Sequence, residues 1–136
     1  MTRQKEHSMG SKLKRSMILS TAVGLLLTLS GCLEGSAVRT GAVLPPKPAY
    51  APIDVFLDDH PAGPYTEIGL VSAKGSGHDA TLTDVILVLQ DQTRSLGADA
   101  VIVTDTWYED KVHYDKYGDA HVHTRLYANG IAIQLL

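Results

Sequence analysis

Three features that usually stabilise or place a small protein are scarce in this sequence of 136 residues: cysteine, proline outside one segment, and long hydrophobic runs. The one cysteine, Cys32, excludes an intrachain disulfide and zinc sites that need two or more thiolates. All six prolines lie between Pro45 and Pro64, so the chain beyond them can form uninterrupted elements. The apolar run from Met17 to Leu29 has thirteen residues, whereas a membrane-spanning helix needs about twenty.

The apolar run has the flanks of a secretory signal peptide, with Lys12, Lys14 and Arg15 before it and small residues after it. Its end, Leu29-Ser30-Gly31-Cys32, resembles the lipobox of bacterial lipoproteins. That resemblance implies that the thiol of Cys32 is diacylated, that the chain is cut before it and that the new amine is acylated. We therefore expect a signal peptide over 1–31. The alternative is an uncleaved anchor or a buried free thiol.

The charge of the remaining chain argues against nucleic acid as a partner. Five of the twelve Lys and Arg residues and one of the fifteen acidic residues lie in 1–31. Residues 32–136 therefore carry seven basic and fourteen acidic side chains, a formal net charge of −7. Nucleic-acid binding depends on neutralising phosphates, which an acidic chain does poorly. Contact with the membrane is accordingly expected through the acyl chains.

Residues 32–52 are rich in Gly, Ser, Ala and Pro, which predicts an extended tether that follows the lipidated cysteine. Proline favours the polyproline II conformation, and the run Pro45-Pro46-Lys47-Pro48 is typical of such a spacer. The alternative is that part of this segment packs along the domain as an irregular edge. One domain is then expected over 53–136.

The pattern in 53–136 predicts the element order β-β-α-β-β. Thr81 and Asp84 form a capping box at the start of a helix, and Gly97 stands where its C-terminal cap belongs. The expected buried helix positions are Leu82, Val85, Ile86, Leu89 and Leu96, and the outer ones are Asp84, Gln90, Asp91 and Arg94. The strands are expected at 53–57, 65–73, 98–104 and 121–135, with a loop at 74–78 and a bulge near Asn129-Gly130. The fold class is α+β, an antiparallel-rich sheet with one helix on one face.

Two short motifs in this domain resemble known families. Gly97-Ala-Asp-Ala-Val-Ile102 follows the amphipathic helix, and Tyr127-Ala-Asn-Gly-Ile-Ala-Ile133 lies in the last strand. Together they look like the YbjQ-type family, described as heavy-metal-binding, and like the Rcs envelope-stress sensor lipoproteins. The resemblance implies a lipid-anchored small α+β domain that senses envelope stress, assembles with other protein or binds metal. The chain lacks the further cysteines of the stress sensor.

His121 and His123 are the candidate metal ligands, since they lie on the same face of one strand, about 7 Å apart. Imidazole suits zinc, copper and nickel, and His113 on the preceding strand could supply a third ligand. With a two-residue loop at Tyr117-Gly118, His113 faces Val122 and points to the other side. With a three-residue loop it opposes His123. The alternative is a solvated polar hairpin that binds no metal and needs no cofactor.

The aromatic residues of this hairpin are candidate protein-binding residues, chiefly Trp107, Tyr114 and Tyr117. Their mutual packing across the strands is the alternative. No nucleophile motif occurs and the sole thiol belongs to the lipobox, so we expect no enzymatic activity. Leu33, rather than aspartate, follows Cys32, which implies sorting to the periplasmic face of the outer membrane. The sequence thus predicts a non-enzymatic lipoprotein that binds a protein partner or itself, with metal binding as the alternative.

Overall fold

The computed structural model describes residues 32–77 and 80–136. They form a small α+β domain, which confirms the predicted fold class. In chain order the elements are β1 (Leu33–Arg39), β2 (Asp54–Phe56), β3 (Tyr65–Ser76), α1 (Leu82–Ser95), β4 (Ala100–Tyr114) and β5 (Ala120–Leu135). No helix among the described residues has the length and apolar character required to cross a membrane. The predicted signal peptide, 1–31, lies outside the described residues.

The five strands form one sheet in the order β1-β3-β5-β4-β2. All neighbours are antiparallel except β2 and β4, which pair in parallel over three residues. The register shifts between Val103 and Asp105, so the bulge lies in β4, directly opposite Asn129 and Gly130 of β5. The bulge is therefore on the partner of the strand in which it was predicted. It reverses which β4 side chains face the helix.

Helix α1 begins at the predicted capping box. The Thr81 hydroxyl accepts a hydrogen bond from the backbone N–H of Asp84, whose carboxylate accepts from the backbone N–H of Thr81 at 2.9 Å. At the other end Gly97 has φ +78°, and a Cβ there would lie 2.3 Å from the carbonyl oxygen of Pro45. Only glycine fits this left-handed and crowded position.

The buried stripe of α1 consists of Val85, Leu89 and Thr93, spaced four residues apart. Leu82 was predicted to be buried, but it is the first helical residue, lies outside the core cluster and is exposed. Gln90 and Arg94 were predicted on the outer side and instead bind the chain before β2. The Gln90 side chain donates to the carbonyl of Ile53, and the Arg94 Nε–H donates to that of Ala51, both at 2.8 Å.

The core lies between α1 and one face of the sheet, where the helix covers Ile68, Val71, Val101, Leu126 and their neighbours. A smaller cluster on the opposite face contains Ala100, Ile102 and Ile133, with Phe56, Tyr65 and Ile131 packed against it. In the part of the chain that the structure describes, no second helix packs on this opposite face. We call it the open face.

The predicted tether over 32–52 is wrong for this structure, because Leu33–Arg39 forms edge strand β1 of the sheet. All seven of its residues pair with β3. Residues 40–53 then pack over the C-terminal end of α1. The Arg39 side chain donates a hydrogen bond to the carbonyl of Leu96, and the backbone N–H of Lys47 donates one to the carbonyl of Arg94. Lys47 also forms an ion pair with Asp99. The domain thus includes residues before 53. The structure agrees with the alternative prediction, in which part of this segment packs along the domain as an edge.

Candidate functional site

The β4–β5 hairpin extends well past the rest of the sheet. Pairing of β3 with β5 ends at Ser76 and Arg125, whereas β4 and β5 continue to pair down to Tyr114 and Ala120. Residues 109–124 are therefore a free two-stranded arm, which we call the ribbon. Its turn is held by Asp115, whose carboxylate accepts hydrogen bonds from the backbone N–H groups of Tyr117 at 2.8 Å and Asp119 at 3.0 Å.

The turn chemistry also shifts the acidity of Asp115. The backbone donors of Asp119 and then Tyr117 lower the pKa of this carboxyl below its ordinary value, because they favour the charged form. Gly118 has φ +88° in the same turn, a conformation that glycine adopts without strain. A carboxylate and a glycine thus fix a connection of five residues, 115–119.

This five-residue connection settles the position of the candidate metal ligands, and neither predicted register occurs. His113 opposes His121, and His123 opposes Lys111. All three imidazoles consequently lie on one face of the ribbon, because strand residues two apart share a face. Among the described residues, however, no group of three His, Cys, Asp or Glu side chains is placed to hold a metal ion. Asp115 is 3.6 Å from His121.

The two faces of the ribbon differ in chemistry. The side that continues the open face carries Glu109, Lys111, His113, His121 and His123, with Arg125 at its base. The other side continues the helix-covered face and carries Val112, Tyr114, Ala120 and Val122, with Tyr108 at its base. We call these five residues the apolar ribbon face. Asp110 and Thr124 lie on the same side, where the Thr124 hydroxyl donates to Asp110 at 2.7 Å.

The three candidate protein-binding aromatics do not form one surface. Trp107 lies on the open face and stacks on Tyr127 with ring centroids 5.0 Å apart. Tyr114 lies seven residues further along β4 and so points to the opposite side. Tyr117 is in the turn, with the ammonium of Lys116 4.8 Å from its ring centre. Of the three, only Trp107 therefore lies on the open face of the sheet.

The open face around Trp107 is a shallow mixed surface that sequence reasoning missed. The Tyr127 hydroxyl donates to Glu109 at 2.9 Å, the hydroxyls of Ser36 and Ser72 are 2.7 Å apart, and Lys74 is paired with Glu34 at 2.6 Å. Lys74 lowers the pKa of the Glu34 carboxyl through a hydrogen bond and its charge. Two shallow depressions lie between these side chains, and exposed Val38 and Leu70 line one of them.

Strand β3 extends three residues into the loop that was expected at 74–78. Residues 74–76, expected in a loop, belong to this strand, and Lys74 binds Glu34 of β1. Residues 78 and 79 lie outside the described part of the chain. In the turn before β3, the Asp59 carboxylate accepts a hydrogen bond from the backbone N–H of His60 at 2.7 Å, as is common for aspartate in turns.

Cys32 is exposed and lies directly before β1. Its carbonyl accepts a hydrogen bond from the backbone N–H of Ser76 at 3.1 Å, so the residue is already part of the sheet edge. The thiol is thus presented at the end of the sheet from which the ribbon extends.

No family model, no curated protein and no solved structure matches this chain. The resemblances to the lipobox, to the YbjQ-type family and to the Rcs sensor lipoproteins therefore stay predictions.

Proposed function

We propose that the chain is a lipoprotein that holds a non-enzymatic binding domain at the periplasmic face of the outer membrane. The observation that carries this proposal is the exposed position of Cys32 at the start of β1, directly after a signal-like segment and a lipobox-like sequence. An acyl chain at this position meets no core residue, so lipidation and the fold are compatible. Leu33 after the cysteine favours the outer membrane.

The test of this proposal is the substitution Cys32→Ala. The variant should accumulate as an uncleaved precursor, and labelled fatty acid that enters the unaltered protein should not enter the variant. Ser36→Ala, in the same strand but without a thiol, is the matched control and should mature normally. A Cys32→Ala chain that is still cleaved and still sediments with membranes would refute the proposal.

The binding role is supported by the open face. Trp107, Val38 and Leu70 are exposed there beside polar groups that are already paired with one another. Large apolar side chains surrounded by polar groups that already have hydrogen-bond partners are typical of protein interfaces. We infer that a protein partner or a second copy of the chain binds this face.

Metal binding is the second candidate, favoured by the direct opposition of His113 and His121 with His123 on the same face. A divalent metal held by two imidazoles would need a further ligand from water or another chain. Calorimetry with zinc, copper or nickel should then show a micromolar site that His113→Ala with His121→Ala abolishes. His60→Ala, at a distant turn, is the control, and the absence of heat at micromolar metal would exclude this candidate.

A further inference from the structure

The apolar ribbon face has no cover among the described residues. The exposed fractions of Tyr108, Val112, Tyr114 and Val122 are 68%, 54%, 66% and 50%. Helix α1 covers the same side of the sheet as far as Leu126, which shares a core cluster with Val85 and Leu89. Beyond Leu126 the side chains remain apolar although the covering layer has ended. The two polar groups on this side, Asp110 and Thr124, satisfy each other.

The direction of the strands places this face at the anchor end of the domain. Leu33 pairs with Gly75, which pairs with Leu126, and Leu126 pairs with Tyr108, so these residues mark one level across the sheet. Cys32 precedes Leu33 and therefore lies on the ribbon side of that level. From Glu109 to Tyr114 the ribbon extends five residues further, about 17 Å at the usual rise of about 3.3 Å per residue.

The proposed lipid anchor places a bilayer at the same end, because the acyl chains are attached to Cys32. A domain that stood upright on this anchor would push the ribbon into the bilayer, since the ribbon extends past Cys32 along the strand direction. A domain that lay over would bring the ribbon along the membrane surface.

The chemistry of the ribbon allows only the second arrangement. A two-stranded ribbon leaves unpaired backbone groups at both edges, and these cannot be satisfied in hydrocarbon. Its other face carries Glu109 and Lys111, with Arg125 at its base, and these charges also remain in water. Tyrosine, in contrast, prefers the interface between headgroups and acyl chains, and valine gains from partial burial there.

We propose that the apolar ribbon face lies in the headgroup layer of the membrane to which Cys32 is anchored, with the domain tilted so that α1, on the same side of the sheet, faces that membrane. This inference depends on the proposed lipid anchor and adds a second, apolar contact. The contact does not require anionic lipid, since the ribbon carries acidic side chains at 109, 110, 115 and 119 against basic ones at 111 and 116. Salt should therefore weaken it little.

The test compares two neighbouring positions on opposite faces of the ribbon. Val122→Cys and His123→Cys are introduced separately into the full chain, which is produced with its native modification and reconstituted into vesicles of phosphatidylethanolamine and phosphatidylglycerol. Because the acyl group occupies the thiol of Cys32, an environment-sensitive dye labels only the new cysteine. Neither position lies in the core, so both variants should retain the unfolding midpoint of the unaltered protein.

The dye at position 122 should emit at shorter wavelength than the dye at 123 and should be quenched several-fold more by headgroup nitroxide lipid. The dye at 123 should be quenched more by aqueous iodide. Equal iodide quenching at both positions, with the protein still floating with the vesicles, would overturn the membrane contact and leave the lipid anchor intact. A dye at 122 that is shielded from both quenchers would show a protein cover and would also overturn it. Failure of the protein to float would remove the anchor itself and, with it, this orientation.

Discussion

Leu87 and Leu89 on α1 show that the contribution of a leucine side chain to stability depends on its position on the helix. Leu89 is fully buried against the sheet, whereas Leu87 is 52% exposed. Leu89→Ala should lower the free energy of unfolding by about 2–5 kcal/mol, since it removes apolar contacts and leaves a cavity. Leu87→Ala should change it by less than about 0.5 kcal/mol. Denaturant unfolding followed by Trp107 fluorescence measures both, and similar losses would contradict the described helix face.

Gln90 differs from its predicted solvent-facing role because tertiary contact gives its amide a partner. Its side chain donates to the carbonyl of Ile53, a residue that is itself buried. Gln90→Ala should cost about 1 kcal/mol or somewhat more, since the carbonyl loses its donor. Gln90→Glu, which keeps the length but removes the donor, should cost at least as much. Denaturation of the two variants beside Leu87→Ala measures the cost, and a neutral Gln90→Ala would contradict the role of this bond.

Acid should weaken the helix through its capping box. Donation from the backbone N–H and then the hydroxyl of Thr81 lowers the pKa of Asp84 in the folded state. A lowered folded pKa stabilises the fold above the unfolded value, about 3.9, and this contribution is lost as the pH falls through the lower folded value. The free energy of unfolding should therefore drop below about pH 4. Asp84→Asn and Thr81→Ala should flatten that drop in acid titrations, and an unchanged slope in both would argue against the box.

Strand β1 takes the place of the predicted tether, and its packing under α1 can be tested by substitution. A Cβ on Gly35 would lie 2.6 Å from Val88 and from the amide of Gln92, because β1 passes close under α1. Gly35→Val should therefore cost about 1–3 kcal/mol by overpacking. Gly63→Val is the matched control, since no atom lies within 4 Å of its added Cβ. Equal unfolding midpoints for the two variants would instead support a detached tether.

The elements that sequence predicted well are those with local signals. The capping box, the apolar spacing of α1 and Gly97 all act within a few residues, and each is present in the structure. Strand β1 has no comparable local signal, because its Gly-Ser-Ala composition resembles a linker and its stability comes from pairing with β3. The register of the ribbon depends on a five-residue turn, which the Asp115 side chain closes by two hydrogen bonds. Because only loops of two and three residues were expected from the sequence, the residue that opposes His113 could not be predicted.

At the scale of the whole molecule, the predicted sheet with one helix on one face is present in the described residues. Which residues share the open face could not be predicted, since this face combines β1, β3, β5 and β4 in an order that is not sequential. Trp107 was predicted to bind protein because it is an aromatic residue of the hairpin. Val38 and Leu70 are identified as further interface candidates only by the strand order, which places them on the same face as Trp107. The face that the structure presents is therefore wider than the predicted aromatic hairpin.

Partner binding through the open face can be tested in cells. Leu70→Ser with Trp107→Ser should abolish in-cell crosslinks to the partner, because both side chains are exposed on the proposed interface. Leu87→Ser with Tyr117→Ser removes similar apolar area elsewhere and should keep them. Crosslinking with mass spectrometry identifies the neighbour, and size-exclusion chromatography separates a second copy from another protein. Crosslinks that persist in the first variant would contradict this surface.

The hydrogen bond between Ser76 and Cys32 leaves no slack between the attachment point and the folded body. A lipid at Cys32 would confine the domain to a layer about as thick as the domain itself. With a flexible spacer of twenty residues, the domain would instead sample a hemisphere of much greater volume above the membrane. The domain would thus meet membrane-bound partners at high effective concentration and by two-dimensional diffusion, while partners held far from that membrane would stay out of its reach.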